Sequence, residues 1–536
     1  MRYILTGLVF TGFSDQDPAE AVLIEGNKIT YVGGFDEAYE KSHGGAHILD
    51  HSGSLVTPGL IDSHCHLSLL GLYSEIGVSL LDAQSIDDIV AKLSQAAAKT
   101  RGQWLFAYGL DESRLVERRL PTRWDLDRAS RETPIVVEHV SGHLLVANSK
   151  ALEKAGIAKG KSLSVKGGLV EVDEDGEPTG VLYDAAMELV LRLLPAPPRD
   201  SWFKGVERAQ QLWLAKGFTG VEDVGTFGAW DPIAEAYQSL HSAGRLVLRS
   251  RIGYAVRDAS ELPLALEKIT EIRETDRLRA GLVKAFYDGS GFARTGLLYD
   301  DWCKDFKKLR GNKGIRVLSK EAIQYILRES IERGIRVTIH TIGDRAVDEV
   351  LEAYQGLGLV SKACSLSLVH AILVSEKGLQ LLRDTGACIK TQAGFMYSHG
   401  HVYAANLCAE RAKRAFPLRS LLSSGVVVAN STDAPFVGSP SPNEGLIGAV
   451  FREPRLGPRG VFGREESLSF REALETYTRY AAIATGWIDL VGTIEPGKRA
   501  DMVVWNIGSL NPSIRELEEM RPSLVLVDGR IVYSGQ

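Results

Sequence analysis

The 536 residues include 62 Lys and Arg against 68 Asp and Glu, a formal net charge of -6, with 44% hydrophobic and 24% charged residues. Such proportions belong to a globular chain with a sizeable core and exclude a disordered or fibrous one. A phosphate backbone calls for clustered basic charge, which this chain lacks, so nucleic acid is not an expected partner.

No apolar run approaches the roughly 18 residues that span a bilayer. The opening Arg2-Tyr3-Ile4 soon meets Asp15, Asp17 and Glu20, which reads as a cytoplasmic protein with no signal peptide and no membrane partner. The five cysteines (Cys65, Cys303, Cys364, Cys388, Cys408) lie far apart and form no CxxC pair. Neither a disulfide framework nor a thiolate zinc site is expected, so a metal would have to be held by His and carboxylates.

In chain order, a strand from Arg2 to Phe10 leads to a hairpin over 22–33 with its turn at Glu25-Gly26. Its pattern returns at 525–535 with a turn at Asp528-Gly529. Glycine supplies the positive φ of such turns. With strands at His47 to Val56 and Asp501 to Trp505, the two chain ends are expected to form one small β-sandwich domain, 1–57 and 490–536. Between them, short apolar runs ending in polar residues recur at Pro58 to His66, Gly217 to Gly225, Leu248 to Ala255, Gly281 to Gly289, Arg336 to Asp344, Leu366 to Ile372, Ala387 to Phe395 and Val426 to Pro435. Helix-like stretches such as Lys320 to Arg333 and Ser375 to Thr385 separate the later ones. Eight strands alternating with helices predict an α/β fold, a TIM-type (β/α)8 barrel over 58–72 and 199–489, with its chemistry at the carboxyl ends of the strands. The 151 residues from His66 to Gly217 exceed any single crossover, so an α+β subdomain, 73–198, is expected as a lid-like insertion after strand one.

The first run ends His64-Cys65-His66. On a strand, i and i+2 share a face, so both imidazoles can reach one ion. His340 and His370 close two later runs, and Asp433, in Ser-Thr-Asp433-Ala-Pro435, closes the eighth. A lone His or Asp at a strand end is more often structural; the repetition is what argues for a site. Lys284 stands among apolar neighbours in Leu282-Val-Lys284-Ala-Phe286, where a bare ammonium is costly to bury. It either pairs with an acid such as Asp288 or Asp433, or reacts with carbon dioxide to give a carbamate, an anionic ligand able to bridge two metals.

This set, with Tyr108-Gly-Leu-Asp111, Pro121-Thr-Arg123-Trp-Asp, Gly142-His143, Asp288-Gly289-Ser290 and His340-Thr-Ile-Gly343-Asp344-Arg345, resembles the amidohydrolase superfamily. Within it, the motifs resemble the family 3 branch of N-substituted formamide deformylase-like and YtcJ-like proteins, over nearly the whole chain. The resemblance implies a binuclear centre of divalent ions, zinc by preference: His64, His66 and Asp433 on one, His340 and His370 on the other, and carboxylated Lys284 between them. It implies a metal-dependent hydrolase of a carbon-nitrogen bond, an amide or N-acyl amine of a small molecule, cleaved by metal-activated hydroxide. Asp433 would shuttle the proton, and His143 would stabilise the oxyanion. A lactonase or phosphotriesterase on the same metals, or a catalytically silent binding protein, stands as the alternative, and homo-oligomerisation stays open. One departure from the family pattern is Val369, where a Glu often precedes the sixth-strand His; the residue that tunes His370 is therefore not evident. His399-Gly-His401 is read as a solvated or substrate-contacting loop. Lys307, Lys308, Arg310, Glu332 and Arg333 are read as exposed charged faces. His43, His47 and His51 are assigned no role.

Overall fold

A computed structural model describes the chain except residues 1, 101, 161–163, 166–167, 304–310, 360–363, 437, 439 and 536. The basic run Lys307, Lys308 and Arg310 therefore lies outside the described residues. Two compact units are present: Met1–His66, Ala209–Asp433 and Pro440–Gln536 form the first, Leu67–Arg208 and Ala434–Ser439 the second.

The first unit holds the barrel. Its first strand, Leu60–Cys65, pairs in parallel with Phe218–Asp223, and that strand with Arg249–Ile252. The third strand resumes after Gly253 as Tyr254–Ala255, which pairs with Leu282–Phe286. Parallel pairing then runs through Arg336–Thr341, Leu366–His370, Cys388–Thr391 and Val428–Asn430. All eight apolar runs of the sequence thus contain a strand. Their side chains are buried almost throughout, as expected for strands covered on both faces. Helices such as Lys320–Ile331 and Glu376–Thr385 intervene, and Ser319 and Ser375 cap them by accepting from the amides of Ala322 and Gly378.

Side chains and backbone close the seam between the eighth strand and the first. Ser63 Oγ donates to the Asn430 carbonyl at 2.8 Å, and the Asp433 amide donates to the His64 carbonyl at 3.0 Å. The Thr432 amide and hydroxyl donate to Asp62 at 2.9 and 2.6 Å.

Also in the first unit, both chain ends share one eight-stranded sheet. Its order is Arg530–Ser534, Pro522–Val527, Met502–Trp505, Leu55–Pro58, Arg2–Val9, Ala19–Glu25 and Lys28–Gly33, with His47–Leu49 beside Arg2–Val9. The two hairpins turn at Gly26-Asn27 and Asp528-Gly529, and both residues of the second turn have positive φ, 51° and 69°. Leu5, Val22, Ile24, Val504 and Leu526 share its core. A buried ion pair ties this sheet to the barrel. Arg249, on the third strand, donates to both carboxylate oxygens of Asp501 at 2.7 and 2.9 Å and to Asp528 at 2.6 Å.

The second unit is α+β. Its seven-stranded sheet runs in the order Ser164–Val165, Gly168–Val172, Pro178–Asp184, Leu144–Ala147, Ile135–His139, Leu105–Leu110 and Val78–Ser79. One face packs Ile89 and Leu93 of helix Ile86–Thr100 against Ala107 and Val137, and the other packs Leu152 and Val190 against Leu145 and Leu182.

One expectation is corrected. Cys303 and Cys408 form a disulfide, with Cα atoms 5.5 Å apart across a sequence separation of 105. Spacing along the chain concealed it because the fold supplies the proximity: the Cys303 amide donates to the Asn406 carbonyl at 3.1 Å, just ahead of Cys408.

Removing one partner of a buried ion pair leaves the others uncompensated. Arg249→Ala should therefore lose about 3 to 5 kcal/mol of stability in denaturant titration. An unchanged midpoint would show that the sheet does not depend on this anchor.

Candidate metal centre

His64, His66 and Asp433 are buried, and their ligand atoms all lie within 4.8 Å of one another. His64 Nε2 stands 3.3 Å and His66 Nε2 3.6 Å from Asp433 Oδ1. Two ligands on one tetrahedral ion at roughly 2.0 to 2.1 Å would be about 3.3 Å apart, so these three atoms fit a common ion. His66 is oriented by donating from Nδ1 to the Gly225 carbonyl at 2.7 Å, which turns Nε2 toward Asp433. Burial holds both imidazoles neutral, pushing His66 down to about 3 and His64 well below the ordinary range with help from the Lys284 charge. Neutral imidazole is the form that binds a metal.

His340 and His370 form a second pair, with Nδ1 and Nε2 3.1 Å apart. The outward nitrogens are engaged elsewhere: His340 Nε2 meets the Gly289 carbonyl at 2.9 Å, and His370 Nδ1 meets Gln392 Oε1 at 2.6 Å. The rings of His64 and His370 lie 6.1 Å apart, so the pair adjoins the triplet.

Lys284 is 1% exposed, with Nζ 4.6 Å from the centre of the Phe286 ring and no hydrogen bond among the described residues. Burial lowers its pKa, and the charge of Asp433 opposes the fall. Burial likewise raises Asp433, with Lys284 opposing. Asp288 is not its hydrogen-bonding partner; that carboxylate accepts from the amides of Leu297, Ile342 and Gly343 at 2.8 to 3.2 Å and fixes the turns after the fourth and fifth strands.

Three participants escaped the sequence reading. Gln392, after the seventh strand, supports His370 where Val369 offers no acid, and its own amide donates to Ser431 Oγ at 2.8 Å. Lys390 and Glu222 form a fully buried ion pair, and both charges act on Lys284. The available signal was the one that exposed Lys284: a charged residue inside an apolar strand run.

His143 belongs to the second unit. It sits in the turn between Ile135–His139 and Leu144–Ala147, and its Nδ1 hydrogen-bonds Asp184 at 2.8 Å. The segment holding His399 and His401 is not a solvated loop. His399 is buried between helices Gly394–Ser398 and Gly400–Leu407, its ring centroid 5.3 Å from that of Phe292. Glycine at position 400 suggested a loop, but Phe395 and Tyr403 are buried and the segment is helical.

Removing a group that orients a metal-binding His typically costs 10- to 100-fold in affinity. Gln392→Ala should therefore lose divalent metal about 10- to 100-fold more readily to a competing chelator, with its melting temperature nearly unchanged. Equal retention would show that Gln392 does not tune His370.

Comparison with known proteins agrees with this geometry. The sequence profile of the amidohydrolase family matches residues 47–533. The chain is 30% identical to an N-substituted formamide deformylase of Arthrobacter pascens, covering 96% of this chain and 95% of that one, and 27% identical to the putative amidohydrolase YtcJ of Bacillus subtilis, covering 98% of each. An uncharacterized metal-dependent hydrolase from Pyrococcus furiosus superposes with a TM-score of 0.72 at 27% identity, over 94% of this chain and 98% of that one. With a TIM-type barrel and a buried His and carboxylate cluster at its strand ends, the chain belongs to the amidohydrolase family.

Proposed function

We propose that the chain hydrolyses a carbon-nitrogen bond of a small N-acyl amine or formamide, using divalent metal held by His64, His66 and Asp433 and by His340 and His370. The observation that carries this reading is the pairing of the His64, His66 and Asp433 triplet with the His340 and His370 pair in one buried cluster. The likeness to a formamide deformylase supports the substrate class. Zinc suits this donor set of imidazole and carboxylate. When bound, such ions polarise a carbonyl and lower the pKa of water toward neutrality.

The chain's own residues supply the rest. Lys284 in the neutral form, which burial favours, would add carbon dioxide through Nζ, with a nitrogen-carbon bond formed and a proton lost, and the resulting carbamate would supply an anionic oxygen ligand. Asp433 directs Oδ1 at the two His nitrogens, and Oδ2 is the atom that takes a proton from the attacking water and returns it to the leaving amine. His143, oriented by Asp184, is proposed to stabilise the oxyanion. The finer domain division is proposed as a terminal β-sandwich, 1–57 and 490–536, with an inserted subdomain at 73–198.

Protein purified without chelator should carry two divalent ions per chain by elemental analysis and release amine from N-alkyl formamides. His64→Ala with His66→Ala should lose one ion and nearly all turnover, because Asp433 alone cannot hold it. Full metal content and activity in that double variant would remove the assignment, and turnover of lactones or phosphotriesters alone would replace the substrate class. Lys284→Ala should be inactive and partly restored by short carboxylic acids, which stand in for the carbamate. Failure of every such acid would count against the bridge. His143→Ala should lower kcat by roughly 10²- to 10³-fold with KM and metal content nearly constant. A wild-type kcat would leave His143 a structural residue.

A further inference from the structure

The disulfide between Cys303 and Cys408 lies outside the proposed ligand set, yet its surroundings set it apart from a purely structural cross-link. Cys408 is exposed at the junction of helices Gly400–Leu407 and Ala409–Arg414, whereas Cys303 is half-buried. The backbone of Cys408 stands at φ 65° and ψ 160°, a region that only glycine enters freely, so this residue is held under strain. Exposed or strained disulfides are the ones that exchange readily. Arg411 places Nη2 3.8 Å from Cys303 Sγ and donates from the same nitrogen to the Asp301 carbonyl, while its Nη1 has no hydrogen-bond partner among the described residues. A guanidinium so placed favours the thiolate at Cys303.

The bridge also joins two segments that support the metal centre. Gly289, in the loop that leaves the fourth strand, accepts a hydrogen bond from His340 Nε2 at 2.9 Å. Two residues further on, Gly291 lies so close to helix Gly400–Leu407 that a Cβ would come within 2.6 Å of Tyr403 Cε1. Asn406 of that helix donates to the carbonyls of Gly291 and Phe292 at 3.0 and 3.3 Å, and its own carbonyl accepts from the Cys303 amide at 3.1 Å. The helix that Cys408 ends therefore holds the loop that orients His340.

We propose that Cys408 is a thiol-exchange site, through which a dithiol reductant opens the bridge and loosens the hold on His340. One thiolate of the reductant attacks the exposed Cys408 Sγ, the bond between the two protein sulfurs breaks, and Cys303 leaves as a thiolate beside Arg411. The reductant's second thiolate then attacks its own sulfur in the mixed disulfide and releases Cys408 as a thiolate. Two electrons pass to the protein, and the reductant leaves as a disulfide. With the bridge open, the Cys408 backbone is free to relax. The exchange stands on the cysteines alone; its consequence for metal rests on the hydrolase reading of the centre.

Peptide mass mapping of the folded protein should find Cys303 and Cys408 closed to an alkylating reagent, and both open to it after dithiothreitol without denaturant. Glutathione, a monothiol, should be caught as a mixed disulfide on Cys408 and not on Cys303. Arg411→Gln should slow reduction roughly 3- to 10-fold, because Cys303 becomes a poorer leaving group, whereas Arg411→Lys keeps the charge and should react near the wild-type rate. Reduced protein should yield divalent metal to a chelator about 10-fold more readily than oxidised protein. Thiols open before any reductant, a bridge that opens only on unfolding, glutathione on Cys303, or an unchanged rate in Arg411→Gln would each overturn the exchange. Equal metal retention in the two redox states overturns the link to His340. Protein that binds no divalent metal removes the hydrolase reading and that link together, while the mass mapping still decides the exchange.

Discussion

The centre depends on how the eighth barrel strand is fastened to the first. Asp62 is fully buried and receives three donors, Trp213 Nε1 at 2.8 Å and both the amide and hydroxyl of Thr432. Burial pushes its carboxyl up to about 6, while the donors pull the other way. Buried polar groups left unpaired are costly, so this carboxylate specifies where Thr432 must sit. Asp433 follows directly, with its amide on the carbonyl of His64. A shift of this seam by one residue would exchange the faces of the strand and carry Asp433 away from both imidazoles. The His64, His66 and Asp433 cluster is thus a consequence of strand closure, not of an independently folded loop.

Charge burial within the barrel follows the same logic at higher cost. Lys284, Lys390, Glu222, Asp62 and Asp433 all lie within it, each at most 7% exposed. The Lys390 and Glu222 pair satisfies most of its own demand, although Glu222 Oε2 has no partner. Lys284 has the Phe286 ring face and the opposing charges of Asp433 and Glu222. Replacing such groups by well-packed apolar residues commonly stabilises a protein by about 1 to 4 kcal/mol. Their retention at one end of a barrel marks chemistry, not stability.

Much of this was legible in the sequence because parallel strands covered on both faces read as continuous apolar runs, and polar residues ending them stand out. His64, His66, His340, His370 and Asp433 all announced themselves that way, and the two terminal hairpins did so through their turn glycines, although the first turn falls at Gly26-Asn27 and not at Glu25-Gly26. The unreadable part was pairing between segments distant in sequence. Gln392 is an ordinary polar residue until the fold sets it 2.6 Å from His370. Cys303 and Cys408 lie 105 residues apart, and only the packing of helix Gly400–Leu407 on the loop after the fourth strand joins them. In each case spacing along the chain carries no information about distance.

Backbone conformation at the proposed ligands completes the picture. His370, Ala371 and Asp433 all have positive φ, at 72°, 45° and 59°, and none is glycine. Side-chain-bearing residues pay about 1 to 2 kcal/mol each for that region. The conformation ends the sixth strand abruptly, so that the Ala371 amide donates back to the carbonyls of Thr341 and Val369 at 2.8 and 3.0 Å. His370 is thereby turned toward His340 at the point where a regular strand would have continued past it. Glycine would adopt the same angles without strain but would carry no ligand at 370 or 433, and at 371 it would leave the preceding ligand less restrained. Strain at His370 and Asp433 is therefore the cost of aiming a side chain where extended backbone cannot.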